Sequence, residues 1–175
     1  MNRTVSRLSV VLLAVFLTSC SGGMALRVKS GSSMLYGYVD GGELGPTLSA
    51  KFRVGSPTGS TMRGRGTGKA FYILNAMPDD YYVESINLGV RSVDIDRMRT
   101  SAQDPGRPWG VRIHRAGFHY IGAIEMVETG GKLIARPIKG PGRYAVLAEI
   151  YDKLEKTPWG EEIGKELERL EKSGY

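Results

Sequence analysis

The apolar positions of this chain follow three successive rhythms. From Leu8 to Leu17 every residue except Ser9 is apolar. From Met34 to Ile138 short β-branched and aromatic runs alternate with turn residues. Beyond Gly140-Pro141-Gly142 the spacing becomes helical. In the middle region Thr47 to Val54 sets Leu48, Ala50, Phe52 and Val54 on one face against Lys51 and Arg53 on the other, the pattern of a half-buried strand. Met34–Asp40, Tyr81–Leu88, Val90–Asp96, Gly110–Arg115 and Phe118–Glu128 read as further strands, and Ala70–Asn75 is a continuous apolar run. Gly130-Gly131 ahead of Lys132–Ile138 marks a hairpin. Strands at this spacing, with no helix between them, predict a mainly β fold, an antiparallel β-sandwich of about seven or eight strands.

The C-terminal stretch predicts two helices. Tyr144, Leu147, Tyr151 and Leu154 recur at helical spacing, and Trp159, Ile163, Leu167 and Leu170 form the stripe of a second helix. Thr157 is a good N-cap and Pro158 suits the first turn, although Gly160 stands where a capping box would place Glu. Glu161–Lys165 and Glu168–Lys172 are spaced as i,i+4 pairs. The expected organisation is an N-terminal leader over 1–19, a Gly/Ser-rich flexible tether over 20–33, the sandwich over 34–140, and a helical hairpin over 141–175 packed on it or covering one of its edges.

The leader combines Arg3 and Arg7 with a short apolar run, the pattern of a secretory signal peptide. At half the roughly 20 residues needed to cross a bilayer, the run is too short for a transmembrane helix. Leu17-Thr18-Ser19-Cys20 resembles the lipobox of bacterial lipoproteins, although Thr18-Ser19 is a less common small-residue pair than theirs. The resemblance implies cleavage before Cys20, a diacylglycerol thioether on its sulfur, an acylated amine such as a palmitoyl amide, and stable attachment to membrane lipid, since two or more acyl chains anchor where one holds only marginally. Ser21, rather than Asp, implies transfer to the outer membrane by analogy with Gram-negative sorting. A second resemblance rests on Phe71 to Val83, which is similar to the strand–turn–strand of transthyretin-like and carboxypeptidase-regulatory-like sandwiches, with Asp79 in place of their usual Gly. Together with Gly117-Phe118-His119-Tyr120-Ile121-Gly122 and the Thr-Pro-Trp helix, it implies a binding or structural accessory and brings no catalytic residues.

Composition sharpens this picture. The 24 glycines and 8 prolines suit a turn-rich β body. With Cys20 acylated no thiol is left, so no disulfide staples the fold. Without Arg3 and Arg7 the chain keeps 22 of its 24 Lys+Arg against 18 Asp+Glu, a formal charge of +4.

Candidate chemistry is sparse. Gly64-Arg65-Gly66-Thr67-Gly68-Lys69 lacks the P-loop spacing and reads as a mobile Gly-rich hairpin loop bearing Arg63, Arg65 and Lys69. Asp79-Asp80 read as turn residues, and Asp94 and Asp96 as one solvated strand face. Arg91, Arg97, Arg99, Arg107, Arg112 and Arg115, with Trp109, form the richest basic stretch, and Arg97–Pro108 reads as an exposed loop. In an envelope protein the expected partner of such a surface is an acidic lipid or glycan, or another envelope protein, and not nucleic acid. The expected contact surface comprises Arg63, Arg65, Arg107, Trp109 and Arg112, and no cofactor is expected. Two alternatives stand beside this non-enzymatic reading. One is an envelope hydrolase using His114 and His119 with a carboxylate such as Asp94, Asp96 or Glu125, with or without a metal. The other is an assembly partner docking through the C-terminal helices.

Overall fold

The computed structural model describes residues 27–55, 59–89, 91–95 and 109–175; Cys20, Arg107 and the predicted loop 97–108 lie outside them. The described strands are β1 (Ser33–Asp40), β2 (Thr47–Val54), β3 (Thr61–Thr67), β4 (Ala70–Ala76), β5 (Asp80–Leu88), β6 (Arg91–Asp94), β7 (Gly110–Arg112), β8 (Phe118–Thr129) and β9 (Lys132–Ile138), followed by helices α1 (Arg143–Leu154) and α2 (Pro158–Lys172). The fold is mainly β with two C-terminal helices, as the periodicity predicts.

The strands form one continuous sheet in the order β6-β5-β2-β3-β4-β1-β8-β9, with β7 on the same edge of β5 as β6. The sheet is mixed, which corrects the antiparallel expectation. β1 and β8 run parallel, Met34 opposite Phe118 and Asp40 opposite Glu125, while the other pairs are antiparallel. The chain between Asp40 and Phe118 builds most of the rest of the sheet, so no tight turn forces these two strands to oppose each other. β4 and β5 are not partners either: Met77–Asp79 carries the chain past β3 and β2, so the Phe71–Val83 segment is a crossing and not a hairpin.

The sheet curls. One buried cluster collects Ile86 and Val93 from one end of the strand order, Ile124 and Ala135 from the other, and Leu35, Phe52 and Phe71 between them. Local irregularities help it bend. Between Tyr36 and Tyr38 the register against β8 gains a residue, and Gly122 sits there at φ 118°. On β3 a Cβ at Gly64 would come within 2.6 Å of the Tyr72 carbonyl oxygen, and one at Gly66 would collide with the Thr47 backbone. These two glycines permit close strand approach, so Thr61–Thr67 is a paired strand and not the mobile loop expected; only Gly68-Lys69 forms the turn. A register shift between Thr47 and Ser49 also buries Thr47 and turns Leu48 outward, against the simple alternation.

The helices pack on the outer face of β4 and β1. Met34, Tyr36, Ala70 and Tyr72 meet Val146, Leu147, Ile150, Trp159 and Ile163 in a second buried cluster. β1 and β4 are therefore covered on both faces, which accounts for the unbroken apolar run at 70–74, ended by Asn75. Thr157 Oγ1 accepts the Gly160 N–H at 3.2 Å, confirming the cap. Gly160 cannot be the Glu of a capping box, because its Cβ would strike the Leu154 and Glu155 carbonyls. Lys165 pairs with Glu162 at 2.7 Å instead of the predicted Glu161, whereas Lys172 lies 3.9 Å from Glu168 as expected.

Candidate functional site

The structure divides the basic surface expected from sequence. Arg63 and Arg65 are exposed on β3, where cross-strand pairing sets Arg63 opposite Lys51 and Arg65 opposite Ser49. Arg112 lies on β7, separated from β3 by β5 and β2, roughly 14 Å at the usual strand spacing. Its guanidinium grips Asp80 with two bonds, Nη2 to Oδ2 at 2.8 Å, and this hydrogen bonding raises the Arg112 pKa. Trp109 is half-buried against the interior cluster at φ 55°, an uncommon backbone state for a bulky residue. Arg107 is outside the described residues. On the outer face of β2, Lys51 at 2.8 Å and Arg53 at 3.6 Å share the Glu84 carboxylate, and the Lys51 hydrogen bond in particular holds its pKa below the ordinary carboxylate value.

The histidines are not gathered with carboxylates. His114 is exposed, and His119, half-buried on β8, places Nε2 3.0 Å from the Arg115 carbonyl oxygen. Asp94 lies on β6, Asp96 lies outside the described residues, and Glu125 pairs with Arg136 at 2.7 Å. Among the described residues no three His, Cys, Asp or Glu side chains are placed to share a metal ion.

A different cluster forms where the chain enters the sheet. Asn75, at the end of β4, holds φ 60°, a state that Asn tolerates better than other residues with a Cβ. From there its side chain straps down the segment ahead of β1. Nδ2 donates to the Arg27 carbonyl at 2.9 Å, while Oδ1 accepts the Lys29 N–H at 2.8 Å and the Ser32 hydroxyl at 3.0 Å. Ser33 then bonds the Arg115 carbonyl at 3.3 Å. The last part of the predicted tether, residues 27–33, is thus fastened to the body. This end of the sheet exposes Arg27, Lys29 and Arg115 together with two apolar side chains, Val28 at 40% and Met77 at 52% exposure. Sequence reading passed over this cluster because Arg27 and Lys29 lie in a Gly/Ser-rich stretch; an Asn closing an apolar strand just before Ala-Met-Pro was the available signal.

The opposite end is internally satisfied. Glu149 of α1 accepts the backbone N–H groups of Lys69 at 3.0 Å and Ala70 at 3.1 Å, clipping the β3–β4 turn to the helix. Lys69 Nζ pairs with Asp40 at 2.9 Å, which lowers the Asp40 pKa and raises that of Lys69. Between the two ends, burial under the helices pushes the Tyr120 phenol up to about 12, and Tyr36 is raised further, by burial first and then by the nearby Glu166 carboxylate. Tyr120 nevertheless donates to the Pro141 carbonyl at 2.7 Å.

None of the helices among the described residues is long and apolar enough to cross a membrane. No protein-family model, curated protein or solved structure matches the chain.

Proposed function

We propose that this chain is a lipid-anchored protein of a bacterial cell envelope, held through acylated Cys20 and acting as a binding or structural module rather than as an enzyme. The observation that carries the reading is the run Leu17-Thr18-Ser19-Cys20 behind a basic, apolar leader. The strapping of Arg27 by Asn75 supports it, because the chain is fastened to the sheet within seven residues of that cysteine in sequence. Ser21 favours the outer membrane as the destination. The finer fold reading, a sandwich-like body, is supported by Ile86 of β5 and Ile124 of β8, which share one buried cluster although they lie far apart in the strand order.

Membrane fractionation and mass spectrometry test the anchor. The wild-type chain should be found in the membrane fraction with the mass of a cleaved, acylated Cys20, and Cys20→Ala should yield an uncleaved or soluble chain. Unchanged retention of Cys20→Ala would refute the anchor. Stoichiometric zinc in the purified protein, lost in a His114→Ala/His119→Ala variant, would replace the binding role with the hydrolase reading.

A further inference from the structure

We infer that the end of the sheet at which the chain enters is a membrane-docking face, pressed against the anionic phospholipid headgroups of the bilayer that holds the anchor. The inference rests on the lipid-anchor reading of Cys20 and adds an orientation and a contact surface to it. Cys20 and Arg27 are separated by seven residue steps, which span at most about 25 Å when fully extended. The strap from Asn75 to Arg27, Lys29 and Ser32 fixes where this short leash meets the body. The surface nearest the lipid is therefore the one around Arg27, not the outer face of β3.

That surface has the composition of a headgroup contact. Arg27, Val28, Lys29, Met77 and Arg115 are exposed, and Arg115 joins the group through its backbone bond to Ser33, whose partner on β4 is Ala76. The two carboxylates nearby are Asp79 and Asp80. Asp80 is offset by Arg112, and Asp79 leaves one negative charge against Arg27, Lys29 and Arg115, so the face keeps an excess of positive charge. Val28 and Met77 are two of the four large apolar side chains exposed among the described residues, Val28 between Arg27 and Lys29 in the chain and Met77 directly after β4 at the same end. Apolar tips among Lys and Arg are the arrangement by which a protein surface settles into an anionic interface. At the opposite end Lys69 is paired with Asp40 and Glu149 accepts from the turn, so these two charges are engaged within the fold.

The test uses the mature chain, cleaved before Cys20 and acylated on it, reconstituted into vesicles of phosphatidylglycerol and phosphatidylcholine, or of phosphatidylcholine alone. With the Cys20 sulfur acylated, a cysteine introduced as Met77→Cys is the only thiol and takes a polarity-sensitive fluorophore; Leu48→Cys labels the far end. In anionic vesicles the label at 77 should shift to the blue and be quenched by brominated lipid, and the label at 48 should not. Reversing the three charges (Arg27→Glu, Lys29→Glu, Arg115→Glu) should cut the quenching at 77 by about tenfold while the chain stays on the vesicles. Equal shielding at 77 and 48, or shielding at 77 that survives charge reversal, overturns the docking face. Release of the wild-type chain from the vesicles overturns the anchor reading, and this one with it.

Discussion

The two faces of the curled sheet are built from different side chains. The enclosed face is lined by Leu35, Phe52, Phe71, Ile73, Val83, Ile86 and Ile124, and Tyr81 reaches its edge with its hydroxyl bonded to the Met77 carbonyl at 2.8 Å. The face under the helices carries Tyr36, Tyr72 and Tyr120, with Trp159 of α2 packed in the same cluster. An enclosed interior rewards hydrocarbon, because every polar atom placed there needs a partner. A seam between sheet and helices lets a tyrosine bury its ring and still send its hydroxyl toward a loop, as Tyr120 does at Pro141. The contrast teaches that the helices are a second layer with its own weaknesses. They are held by aromatic and aliphatic packing, by one capped helix start and by a carboxylate clip, whereas the side chains of the interior contribute almost entirely by burial.

Truncating the interior should cost most. Phe71 is fully buried, its ring lies 5.7 Å from that of Phe52, and it fills the space over Gly37, where an added Cβ would stand 2.5 Å from its ring. Phe71→Ala should destabilise the fold by about 3–5 kcal/mol in urea unfolding, with strand and helix signals lost together. Gly160→Ala strikes the other layer. Its new methyl group would meet the Leu154 and Glu155 carbonyls, and the expected loss is about 2–3 kcal/mol. Hydrogen exchange should then show α1 and α2 losing protection while β2 and β5 keep theirs. Equal loss in all four elements would show that the two layers are one cooperative unit.

The tyrosine seam should also be readable in pH. Tyr36 and Tyr120 are both raised by burial, so between pH 10, the ordinary phenol value, and their folded values the unfolded chain ionises and the folded one does not. Their contribution is complete below pH 10 and is lost as pH rises through about 12 for Tyr120. The paired variants Tyr36→Phe and Tyr120→Phe should therefore lose less melting temperature between pH 9 and pH 11 than the parent. An identical alkaline slope would mean that these rings are not held neutral by the seam.

Much of the fold was legible because several segments state their environment directly. Alternation at Ala50 and Phe52 marked β2 as a strand with one wet face, the unbroken 70–74 run marked one with none, and Gly130-Gly131, at φ 59° and 74°, made the predicted hairpin turn. Thr157-Pro158 announced α2. β3 was hidden because Gly64 and Gly66, needed for close strand approach, carry no β signal, and its arginines look like a loop. The parallel β1–β8 pairing joins residues separated by most of the domain, which no local pattern reports. The candidate site suffered in the same way. Arg63, Arg65 and Arg112 look like one basic surface along the chain but are parted by two strands, and Arg27 and Arg115 are brought to the same end only by Asn75 and Ser33.

The finest test of the two-layer contrast is the clip between them. Glu149 is the one α1 side chain that the described hydrogen bonds tie to the sheet backbone, with both bonds on a single carboxylate oxygen. Glu149→Ala leaves the Lys69 and Ala70 N–H groups without that acceptor, and because the Lys69 bond is exposed, water can replace part of it. The expected cost is therefore near the low end for a lost charged hydrogen bond, about 1.5 kcal/mol. Glu149→Gln keeps an oxygen in place and should recover roughly half of that. If the clip couples the layers, Glu149→Ala should weaken exchange protection at Ala70 and along α1 together while leaving β5 unchanged. Weakening at Ala70 alone would reduce Glu149 to a local turn cap and leave the buried cluster of Tyr36, Leu147, Ile150 and Ile163 to join the layers.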